Sequence, residues 1–186
     1  MRYALCAMLF ALCLDCVHCG ARLSCCLRVT GCRYLRPVDQ DMSLTHEQVQ
    51  DLLPHRYPFL FIDKVTQLKS GHSVEGTFRV KSDHPFINRV GRVSVFPTIL
   101  VVEALGQLAA LCIRYAQENP QPRQRPQGFL VRIDQCSFAH PVQEKEELLL
   151  TANLVKQYST LYKFDARGFV DHMMVVEASL TLYLEF

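Results

Sequence analysis

The apolar run Ile99–Ile113 is interrupted at Glu103, Gly106 and Gln107. If the run is helical, Glu103 and Gln107 share one face, and the amide can hydrogen-bond the carboxylate. A carboxylate in such surroundings is costly unless partnered. The pair therefore reads in two ways: two polar groups satisfying each other in a core, or an acid held ready for proton transfer. The other proton carriers are histidines. His84 stands before Pro85, where a surface or turn histidine is the plain reading, and His72, His140 and His172 fall at strand ends or turns, where exposure is expected. Seven of the nine cysteines lie in the first 32 residues. Cys13, Cys16 and Cys19 have metal-like or redox-like spacing, but no second ligand pair follows at zinc-finger distance. Cys112 and Cys136 stand alone, as is ordinary in a reducing compartment, and give no disulfide framework.

At 186 residues the chain suits one domain with a sizeable core. The formal charge of +2 is uneven: residues 1–41 hold five Arg and three Asp, and residues 42–186 balance fifteen basic against fifteen acidic side chains. No basic stripe argues for nucleic acid, and no glycine-rich phosphate loop or metal fingerprint is present. Met1-Arg2-Tyr3 followed by apolar Ala4–Leu14 has the outline of a signal peptide, but no clean cleavage site follows. Its 11 apolar residues fall short of the ~20 that a membrane span needs. The favoured reading makes 1–41 an extension outside the working domain, mis-annotated or targeting, with Met42 the true start; residues 42–186 form the domain.

The elements that must position these groups follow from periodicity. Thr45-His46-Glu47-Gln48 is a capping-box pattern, and the helix it opens must end before Pro54. Residues 59–69 and 73–81 read as strands around Ser70-Gly71. Pro97-Thr98 then opens the long apolar helix, with Thr98 a fair N-cap. After a polar linker at 118–127, residues 129–138, 147–156, 160–169 and 173–185 read as strands. In the last, Met174, Val176, Ala178, Leu180, Leu182 and Leu184 alternate with polar residues. Strands with one polar face belong to an antiparallel sheet covered on one side. A helix apolar almost all round must be covered too. An α+β fold in which a curved antiparallel sheet wraps a long central helix satisfies both, although the pattern permits other α+β folds.

Two motifs narrow the choice. Leu53-Pro54-His55-Arg56-Tyr57-Pro58-Phe59-Leu60-Phe61-Ile62-Asp63-Lys64-Val65 resembles the N-terminal signature of FabZ-type 3-hydroxyacyl-[acyl-carrier-protein] dehydratases. Pro97-Thr98-Ile99-Leu100-Val101-Val102-Glu103-Ala104-Leu105-Gly106-Gln107 resembles the start of that family's central helix. The resemblance spans residues 44–186 and implies the hotdog fold. It also implies a dimer and a substrate carried on the phosphopantetheine of a carrier protein or on coenzyme A, with no other cofactor and no metal. It implies lipid metabolism, in fatty-acid or polyketide-type synthesis in the cytoplasm. Glu103 takes the family's acid position, with Gln107 beside it. His55, Tyr57, Pro58, Phe59, Phe86, Arg89, Val90, Pro97, Thr98 and Ile99 fall where substrate is bound; His55 matches a position the family uses structurally near the tunnel and by itself points to no new base.

The chain departs from the family at the base. Where the family reads Asn-Glu-Pro-Phe-Phe-x-Gly-His-Phe-Pro, this chain reads Asp83-His84-Pro85-Phe86-Ile87-Asn88-Arg89-Val90-Gly91-Arg92. The histidine position falls on Arg89 or Val90, and neither can act as a base. The Pro-Gly before the family's helix is Pro97-Thr98 here, which adds a side chain where backbone approaches the thioester. The expectation is an acyl-thioester-binding protein, catalytically impaired or completing the site of a catalytic paralogue in a mixed dimer. Its alternatives are an active dehydratase with His84 as a rearranged base and, less favoured, an acyl thioesterase working from Glu103.

Overall fold

Thr45 opens the first helix in the computed structural model, which describes residues 42–116 and 128–184. Its hydroxyl accepts from the Gln48 N–H at 3.4 Å, and the Gln48 side-chain oxygen accepts from the Thr45 N–H at 2.9 Å. This reciprocal box satisfies two donors that would otherwise be orphaned at the start of α1 (His46–Leu52). The helix stops at extended Leu53, as the following proline demands. The Arg114 guanidinium donates to the Leu52 carbonyl and ties this end to the long helix.

Seven strands form one antiparallel sheet: β1 (Met42–Leu44), β2 (Lys64–Lys69), β3 (Ser73–Arg79), β6 (Gly128–Phe138), β8 (Glu147–Tyr158), β9 (Leu161–Val170) and β10 (Met173–Leu184). Their spatial order is β1-β2-β3-β8-β9-β10-β6. The alternation expected in β10 is present from Val176 to Leu184; a register shift between Met174 and Val176 turns Val175 inward as well. The outer face is knitted by cross-strand pairs, Arg167 to Glu177 at 2.7 Å and Ser179 to Asp165 at 2.6 Å. Three further short strands, β4 (Asn88–Val90), β5 (Val93–Phe96) and β7 (Val142–Gln143), make a separate small sheet.

The long helix α2 (Ile99–Ala116) lies across β3, β8, β9 and β10. By length and composition it is apolar enough to cross a membrane, but 67% of it is buried within the fold, so it is a core helix. It sits so close to the sheet that a Cβ on Gly76 would come 2.9 Å from a Leu108 methyl, besides 2.8 Å from the Lys64 carbonyl oxygen on the neighbouring β2. A Cβ on Gly168 would come 3.1 Å from Val101. A central helix wrapped by a curved antiparallel sheet is the hotdog fold expected from the motifs.

The structure differs from the expectation in three places. The strand expected from Phe59 begins only at Lys64, because the Gln107 side chain takes the Phe59 carbonyl and the Phe61 N–H that a ladder would use. Residues 88–96 form a hairpin that periodicity did not reveal; Gly91 at φ +64° turns its two-residue loop. The Thr98 hydroxyl does not cap α2; the carbonyls of Pro97 and Thr98 instead accept from Leu100 and Val101 in a tightened first turn. The readings of residues 1–41 and of the 118–127 linker lie outside the described residues.

Candidate active site

Gln107 is the centre of the site. It is buried, and all of its polar capacity toward the neighbouring loop is used. Its oxygen accepts from the Phe61 N–H at 3.0 Å, and its nitrogen donates to the Phe59 carbonyl at 2.8 Å. The same nitrogen donates to Glu103 Oε1 at 3.0 Å, one helical turn earlier. One amide therefore locks residues 59–61 against α2 and fixes the carboxylate. Glu103 Oε2 makes no hydrogen bond among the described residues. The carboxylate side chain is 41% exposed, so the pair is not a sealed core contact.

His55 is brought to the same place. Its Nε2 lies 3.6 Å from Glu103 Oε1, and its side chain is 35% exposed. Its Nδ1 is buried and has no hydrogen-bond partner among the described residues. The loop behind it is held by Arg56, whose guanidinium donates to the carbonyls of Leu53 and His55 at 2.8 and 2.7 Å. Phe59, whose carbonyl Gln107 holds, and Ile99, one turn before Glu103 on α2, are exposed apolar groups beside the pair, whereas Tyr57 lies against His84. Carboxylate, imidazole and apolar surface thus converge around the start of α2.

His84 lies elsewhere. It is 5% exposed, not the surface or turn residue that its place before proline suggests. Five rings surround it, those of Tyr57, Phe61, Phe78, Phe86 and Phe96, with centroids 5.3–6.2 Å away. Its Nδ1 accepts from the Phe86 N–H at 3.4 Å. Burial pushes its pKa down, against the opposing pull of the Pro58 backbone and of Asp83. The cleft it borders is shared with His46, Asp63, Arg79 and Lys81, and Glu103 is not part of it. The rings around His84 come from four separate segments, so no local sequence pattern marks the enclosure.

Arg89 and Val90 stand on the exposed β4–β5 hairpin, Val90 65% exposed. Phe86 is partly buried and packs at a tilt against Phe59, ring centroids 4.9 Å apart, while Pro58, Pro97 and Thr98 are partly buried. The pairing of His55 with Glu103, 48 residues apart, had no local signal in the sequence. Among the described residues no cluster of three or more His, Cys, Asp or Glu has metal-holding geometry.

A family model of the FabA-like domain matches residues 53–179. The chain is 36% identical over 135 residues to the 3-hydroxyacyl-[acyl-carrier-protein] dehydratase FabZ of Thiobacillus denitrificans, covering 72% of this chain and 92% of the relative. It is 31% identical over 140 residues to that of Oceanobacillus iheyensis, covering 75% and 97%. Among solved structures it is similar to the dehydratase heterocomplex ApeI:P from Xenorhabdus doucetiae, with TM-score 0.64, 19% identity, and coverage of 74% of this chain and 91% of that one. Another similar structure is smu.793 of Streptococcus mutans bound to acetyl CoA, with TM-score 0.54, 14% identity, and coverage of 70% and 93%.

Proposed function

This chain belongs to the FabA-like family, and we propose that it serves as the acid-bearing half of a dehydratase site. It is a hotdog acyl-thioester protein related to 3-hydroxyacyl-acyl-carrier-protein dehydratases. The acyl group arrives on the phosphopantetheine of a carrier protein or on coenzyme A, and no further cofactor takes part. Dehydration needs a base for the proton beside the thioester carbonyl and an acid for the departing hydroxyl. Glu103, oriented by Gln107, is the acid.

The observation that carries the reading is the contrast between two segments. The carboxylate and its clamp are in place on α2. The segment that the Pro85-Phe86 register assigns to the family's base loop is an exposed hairpin carrying Arg89 and Val90. A chain with the acid and not the loop base is impaired alone and completes the site of a paralogue that supplies the base. Removal of a general base typically lowers a rate ~10²–10⁴-fold. The fold of a dehydratase heterocomplex is a precedent for unequal pairing. The 11-residue edge strand β6, with Phe129, Val131 and Ile133 exposed, is a suitable surface for a homodimer or mixed dimer.

Complementation tests this directly. The full chain is co-expressed with an intact-loop relative whose helix carboxylate has been replaced by glutamine. Restored hydration of a crotonyl thioester on a carrier protein, lost again with Glu103→Gln, is the expected result. A mixed complex that forms but stays inactive contradicts it.

A further inference from the structure

We propose that His55 and Glu103 form an acid–base pair within one chain, giving this protein slow proton chemistry of its own on a bound acyl thioester. The proposal rests on the reading above that the thioester occupies the surface around Glu103. Three observations support it. The imidazole Nε2 and the carboxylate are 3.6 Å apart, and both side chains are open to solvent. His84, the other imidazole of this region, is enclosed by five rings and borders a different cleft. Third, His55 Nδ1 is buried with no hydrogen-bond partner among the described residues. A buried polar atom left unpaired is costly and calls for an explanation beyond packing. The free Oε2 of Glu103 and the exposed side chain of Ile99 one turn away supply a position for the reacting oxygen and an apolar bed for the acyl chain.

The step balances without another reactant. His55 takes the proton from the carbon beside the thioester carbonyl, and the C–H electron pair becomes the new C=C bond. The C–O bond to the hydroxyl breaks, and protonated Glu103 gives its proton to the departing oxygen, which leaves as water. An imidazolium then stands beside a carboxylate. One proton passed from His55 to Glu103 across the same gap restores both. Two groups this close act from one side of the substrate, which suits removal of hydrogen and hydroxyl from a single face. Hydration is the reverse.

The test uses the full chain and a crotonyl thioester on a phosphopantetheine-bearing carrier protein, following hydration and thioester affinity separately. The wild type is expected to turn over slowly. His55→Asn and Glu103→Gln each lower kcat about 10²-fold, and the double variant loses no more than either single one, as residues that act as a unit do. Thioester affinity stays within about threefold in all of them, because the groups act on the reacting atoms rather than on ground-state binding. Free imidazole restores turnover to His55→Ala, which a merely structural histidine does not predict. A wild type that binds thioester but does not hydrate it overturns the pair and leaves the acid-bearing-subunit reading standing. Undiminished turnover by His55→Asn overturns it too. Loss of thioester binding by the wild type overturns the reading and the pair together.

Discussion

At the scale of single residues, Gln107 has the most demanding role. Its amide holds two backbone groups of the 59–61 segment and one oxygen of Glu103. Gln107→Leu keeps the volume but orphans the Phe59 carbonyl and the Phe61 N–H, which costs roughly 1–3 kcal/mol for each buried group left unpaired. Urea denaturation is expected to give a midpoint shifted by a loss of that order, with an unchanged slope. His84 makes a different prediction. Its pKa is lowered in the folded protein by burial among rings. The unfolded chain therefore binds the proton more readily between the lowered value and about 6.5. The stability His84 contributes is complete above that window and is lost as pH falls through it. Denaturation midpoints at pH 7.5 and 5.5 are expected to differ, and His84→Phe to narrow the gap. An equal gap in the variant would show that other groups set the acid sensitivity.

At the scale of elements, the fit between α2 and the sheet depends on two glycines. A methyl on Gly76 meets the Lys64 backbone oxygen, which cannot move without shifting β2. Gly76→Ala is expected to cost about 1–3 kcal/mol by overpacking, read as a lower thermal midpoint, whereas Gly91→Ala meets no neighbour and is strained only by its turn conformation. Elements whose side chains face a core at a constant period were legible in the sequence: the capped α1, the apolar α2 and the alternating β10. The β4–β5 hairpin was not, because its residues are mostly exposed and only Phe96 is fully buried, so no alternation marks it. Phe59–Asp63 looked like strand because it is apolar, yet Gln107 captures its backbone. Glu103 and Gln107 stood out by their spacing along one helix, and the Gln107 hydrogen bond lies where that spacing placed it. The contacts of His55 and His84 are made across dozens of residues and had no local signature.

At the scale of the whole molecule, the exposed apolar side chains of β6 lie along a sheet edge that no described strand covers, the kind of edge that pairs with another chain unless it is blocked. Ile133→Lys is expected to shift the protein toward monomer in analytical ultracentrifugation and to abolish complementation, while Glu103→Gln leaves the assembly intact. A dimer unaffected by Ile133→Lys would place the interface elsewhere. The measurement that bears most directly on the acid-bearing-subunit account compares the full chain with a relative whose Gly-His-Phe-Pro loop is intact, side by side. Both affinity for an acyl thioester on a carrier protein and hydration of a crotonyl thioester are followed. Affinity is expected within about tenfold of the relative and turnover at least ~10²-fold lower, the loss that follows removal of a general base. Turnover within tenfold of the relative, or no thioester binding at all, would contradict it.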